Sequence, residues 1–120
     1  MKGIEVRGKL GKGQIADIFN SAVGNVDYEK VYGDGTTEVI VLTGSRYFLR
    51  SNDTIGFCLF PYYNGTSTKI DFGRIGGGSG LLNIRMGAGN KVENSMLEAF
   101  KGVADSSGMT LTSSDGEVPS

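Results

Sequence analysis

A chain of 120 residues with 21% charged and 38% apolar side chains has room for one domain around one core. Twelve basic and thirteen acidic side chains leave a formal charge of −1. No global field draws such a chain to nucleic acid or to an anionic membrane, and neither is expected as a partner. The sequence has no histidine, which excludes Ser-His-Asp, Cys-His and histidine-ligated metal chemistry, and its single cysteine, Cys58, excludes an intrachain disulfide or a Cys-rich zinc site.

No run approaches the ~18–20 consecutive apolar residues of a membrane span. Residues 1–10 lack the apolar stretch of a signal peptide. The expectation is a soluble, cytoplasmic protein with no cofactor. Twenty glycines stand out against a usual share of ~7%. They lie scattered between apolar segments rather than at a fixed period, so collagen-like and low-complexity readings fail.

Along the chain, residues 2–10 alternate, with Ile4, Val6 and Leu10 on one parity and Glu5, Arg7 and Lys9 on the other. That period of two predicts a half-buried strand. After Gly11-Lys12-Gly13 the period changes. Ile15, Ile18, Phe19, Ala22 and Val23 fit one helical stripe, and Gly24 supplies a left-handed stop. Residues 26–32 read as a strand closed by the hairpin signal Gly33-Asp34-Gly35, and 36–43 as a β-branched strand. Gly44 is expected to bulge or bend the chain before Tyr47-Phe48-Leu49. A polar turn at 50–53 leads to a strand over 54–63, then Asn64-Gly65 and a returning strand over 66–75. Pro61 has no N–H for a ladder and is expected at an edge or near its strand's end.

Gly76 to Gly80 interrupts the pattern, and 81–86 is a short apolar piece, either strand or a coil lying on the core. Asn90 with Glu93 three residues on has the form of a capping box. Val92, Met96, Ala99, Phe100 and Val103 then recur at helical spacing up to Gly108. The prediction is one domain over 1–108 and a polar, flexible tail over 109–120. The element order is β-α-β-β-β-β-α, which predicts an α+β fold with a single antiparallel sheet of about five strands and both helices on one face. Helix-grip and TBP-like folds share this order. The break at Gly77-Gly78-Ser79 between last strand and final helix resembles that of small prokaryotic β-α-β4-α domains. Such folds host unrelated functions, so the likeness selects none of them.

The functional expectation comes from the central strands, which are apolar on both parities. Val39 and Val41 oppose Ile40 and Leu42; Phe57 opposes Cys58 and Phe60. A two-layer domain needs only one apolar face. Exposing the second would forfeit about 1.5–3 kcal/mol for each large side chain and leave a sticky patch. A cover is therefore expected. The first candidate is a partner subunit, making the chain a homo-oligomeric, non-catalytic interaction protein with anchors among Val39, Ile40, Val41, Leu42, Phe57 and Phe60. The second is a small apolar or anionic ligand in a cavity between the sheet and Ile18, Phe19, Met96 and Phe100. Intrachain cover by 81–86 or the tail is the third.

Two glycine clusters are candidate anion sites. Gly8-Lys9-Leu10-Gly11-Lys12-Gly13 opens a helix but fits neither the Walker pattern nor GxGxxG, and a tight turn explains it as well. Gly76, Gly77, Gly78, Ser79 and Gly80, with Arg85 and Asn90 nearby, could form an anion nest or a mobile lid, or simply turn the chain. Cys58, between phenylalanine and leucine in an apolar strand, reads as a small hydrophobe rather than a nucleophile. Glu5, Glu38, Asp53 and Asp71 have no spacing that brings carboxylates together for acid/base or Mg²⁺ chemistry. Tyr47 and the Tyr62-Tyr63 pair read as strand-end or interface contacts, since no basic groove accompanies them for base stacking.

Overall fold

The computed structural model describes residues 2–34, 36–49, 52–77 and 87–113. The elements are β1 (Lys2–Arg7), α1 (Lys12–Val23), β2 (Val26–Gly33), β3 (Glu38–Phe48), β4 (Asp53–Tyr63), β5 (Ser67–Gly77), α2 (Gly87–Ser106) and β6 (Leu111–Ser113). They form one six-stranded sheet in the order β2-β3-β4-β5-β1-β6, every neighbouring pair antiparallel. The class and order match the sequence prediction, with one strand added at the end. α1 carries the chain across the sheet from β1 to the far edge at β2, and the meander β2 to β5 returns it beside β1.

The stripe read from the sequence is the face α1 buries: Ile15, Ile18, Phe19, Ala22 and Val23. Gln14 Oε1 accepts from the Gly11 N–H at 3.3 Å, but Gly11 has no side chain to return the bond, so the helix start is only half capped. At the other end Gly24 takes φ 94°, the left-handed stop that an L side chain would resist. Arg46 Nη1 donates to Ala22 O at 3.0 Å, placing a cation on the negative end of the helix. α2 buries Val92, Met96, Phe100 and Ala104, a strict four-residue stripe. Its exit is a six-to-one bond from Met109 N to Ala104 O of 2.8 Å, which turns Met109 back onto the core.

Both helices lie on the same face of the sheet. Phe72 of β5 meets Phe100 of α2 with ring centroids 6.4 Å apart. Arg74 Nε lies 3.4 Å from Glu93 Oε2, and a side chain at Gly44 would run into Phe19 and Val23 of α1. Phe19, Phe57, Phe72 and Phe100 are fully buried at the centre of this layer.

Three local expectations change, and the one for Pro61 is met. α2 begins at Gly87, so Asn90 lies inside the helix rather than at its cap, and Glu93, 5% exposed, pairs with Arg74. Gly44 does not break β3, which runs on to Phe48. The bulge lies opposite it, where β2 accommodates one extra residue between Val26 and Tyr28. Pro61 is near its strand's end as expected, in the central strand β4, where the ladder skips between Val39–Tyr62 and Leu42–Leu59 while keeping its register. Finally, the tail expected from 109 onward starts with order. Leu111 to Ser113 pair with β1, and Arg7 N donates to Thr110 O at 2.9 Å. The piece at 81–86 and the rest of the tail, 114–120, lie outside the described residues.

Candidate functional site

Because side chains alternate across a strand, the helix-bearing face takes Ile40 and Leu42 of β3 and Phe57 and Leu59 of β4, and the opposite face takes their neighbours. Among the described residues no helix or strand lies over that second face. The antiparallel register arranges it in rows that cross the strands. One row runs Tyr32, Val39, Tyr62, Lys69, Glu5 and Thr112. The next runs Lys30, Val41, Phe60, Asp71 and Gly3, with Val41 set across from Phe60 by the unbroken register. A third runs Tyr28, Thr43, Cys58 and Gly73.

This face concentrates the exposed apolar surface. Tyr28, Tyr32, Tyr62 and Ile75 are 41–50% exposed, and Val39, Val41 and Phe60 are half-buried. Of the six anchors expected from the sequence, Val39, Val41 and Phe60 are therefore on the open face. Ile40, Leu42 and Phe57, at 5%, 1% and 0% exposure, lie under the helices and leave the candidate set. Parity alone separates the two trios, but with both apolar, the sequence does not say which one takes the helices. Tyr28, Tyr32 and Ile75 were missed as members. For the two tyrosines the signal is the alternation in β2, where Tyr28, Lys30 and Tyr32 share a parity; for Ile75 it is the shared parity with Asp71 and Gly73 in β5.

The charges of this face sit at its flanks. Lys30 borders the apolar middle on the β2 side, and Asp71 borders it in the same row on the β5 side. Both are exposed, and neither has an ion-pair partner among the described residues. Glu5 Oε2, by contrast, accepts from Ser67 Oγ at 2.7 Å. The Tyr32 hydroxyl, as an acceptor for the Tyr28 O–H, raises the Tyr28 phenol above its ordinary value. Cys58 is a free thiol, 0% exposed between Thr43 and Gly73. Burial pushes its pKa up, against a smaller opposing hydrogen bond from the Gly73 backbone. That keeps it protonated, the inert state expected of it.

The glycine clusters separate. In the turn from Gly8 to Gly13 three of the backbone donors are engaged within the fold. Gly8 N bonds Thr66 O at 2.9 Å, Leu10 N bonds Thr68 Oγ1 at 3.3 Å and Gly11 N bonds Gln14 Oε1 at 3.3 Å. Lys9 Nζ lies 5.2 Å over the Tyr63 ring. The tight-turn reading accounts for all of this. Of the second cluster, Gly76 and Gly77 are the last residues of β5 and Asn90 is in α2. Gly78, Ser79, Gly80 and Arg85 lie outside the described residues.

The space assigned to a ligand is lined by packed core. Phe19, Met96 and Phe100 are 0% exposed and Ile18 is 9% exposed, all within one cluster. Outside it, a shallow cleft of about 300 Å³ opens between the helices, lined by Asp17, Ile18, Ser21, Ala22, Arg46, Ser95 and Ala99. Its one cation is held on Ala22 O. Among the described residues no group of three or more Cys, Asp and Glu is placed to hold a metal ion, and no helix is long and apolar enough to cross a membrane. Against family models, curated proteins and solved structures the chain has no match.

Proposed function

We propose that this chain is a cytoplasmic, non-catalytic interaction domain that self-associates through the open face of its sheet. One observation carries the reading: Val39, Val41 and Phe60, with Tyr28, Tyr32, Tyr62 and Ile75 around them, form a contiguous, partly exposed apolar surface. Aromatic rings rimmed by a few charges are the composition of an interface core and its rim. The small net charge of −1 and the buried, protonated thiol agree with a role in docking rather than in chemistry.

The test is Val41→Lys. Val41 is half-buried on the open face and touches no helix-side packing by its parity, so the variant is expected to keep the wild-type circular dichroism. In sedimentation velocity at about 50 μM the wild type should run as a multimer and the variant as a monomer, since a second lysine beside Lys30 cannot be desolvated cheaply. A wild type that is monomeric at this concentration, or a variant that stays assembled, overturns the reading.

A further inference from the structure

The row Lys30, Val41, Phe60, Asp71 reads cation, apolar, apolar, anion across four adjacent strands, β2 to β5. Such a row is complementary to its own copy turned end for end. We infer that two copies pack face to face about a two-fold axis lying in the interface, parallel to the strands and midway between β3 and β4. The inference rests on the self-association reading and specifies its geometry.

Rotation about this axis exchanges the two ends of each row and keeps every row at its own height along the strands. Lys30 then meets the partner's Asp71, Val41 meets the partner's Phe60, and both contacts occur twice, as an isologous interface requires. The row above follows without adjustment. Tyr28 comes to stand over the partner's Gly73, where no side chain blocks the ring. A two-fold axis through the same row but perpendicular to the strands would instead stack Lys30 on its own copy and Asp71 on its own copy, like charge on like.

The size of the face suits the arrangement. Four strands ~4.8 Å apart, with up to eleven residues each at ~3.4 Å, span an area on the order of 700 Å², close to the ~800 Å² per partner of a stable interface. Two sheets stacked in this way keep their strands within about 30° of each other, as aligned sandwiches do. Lys30 and Asp71 are the two charges on this row, and neither is engaged in an ion pair among the described residues of its own chain.

Charge reversal tests the pairing. Lys30→Asp and Asp71→Lys are each expected to raise the dimer dissociation constant by at least about tenfold, because each puts two like-charge contacts into the interface. The double variant K30D/D71K restores both pairs and should return within about threefold of wild type. Single reversals that leave the dimer intact, or a double variant that fails to recover, overturn this geometry; if Val41→Lys still dissociates the protein, the self-association reading survives it. A wild type that is monomeric overturns both.

Discussion

Thr68 ties down the connection from β1 to α1 with one hydroxyl. It donates to Gly8 O at 2.8 Å and accepts from Leu10 N at 3.3 Å while its side chain is 2% exposed. Both backbone groups lose their partner in Thr68→Val, an isosteric change that leaves the packing in place. An unsatisfied buried group costs about 1–3 kcal/mol, so urea unfolding should show a loss of about that size, and Thr68→Ser should recover most of it. Gly44 shows a different kind of dependence. A side chain there would collide with Asn25 O and come within 3.1 Å of Phe19 and Val23. The glycine is required by the close approach of the α1–β2 connection, not by a bend in β3. Its importance was legible in the sequence as an interruption of a β-branched run, but the cause was not, because the crowding atoms come from a segment about twenty residues away.

At the scale of elements, period did most of the work. The change from alternation to a three-four spacing after Gly11 separates β1 from α1, and the return to alternation gives β2 to β5. β6 was not legible, because three residues, Leu111 to Ser113, are too short to display a period and their pairing depends on the free edge of β1. Leu111 is half-buried against the core, across from Val6. Leu111→Asp should therefore detach β6 alone. Hydrogen exchange is expected to speed up at the β1 amides while those of β3 and β4 keep their protection, since local opening follows the contacts that are lost. Equal acceleration throughout the sheet would mean that β6 is part of the global cooperative unit.

For the whole molecule, the rows that cross the sheet are what no single strand reveals. Lys30 and Asp71 are forty-one residues apart in sequence and share a row only because three registers agree. β1 joins the sheet beside the last strand of the meander, so Glu5 reaches Lys69 by topology and not by proximity in the chain. If the open face is where copies meet, folding and association are linked. Mass action then makes stability depend on concentration, because only the folded chain carries the assembled rows. For a dimer of 120-residue chains, the melting midpoint should rise by about 3 °C for each tenfold increase in protein concentration. Val41→Lys, which leaves the fold intact but stops docking, should melt at one temperature whatever the concentration. Calorimetry over two decades of concentration separates the two behaviours. A concentration-independent wild type would mean that the apolar face contributes nothing to holding copies together.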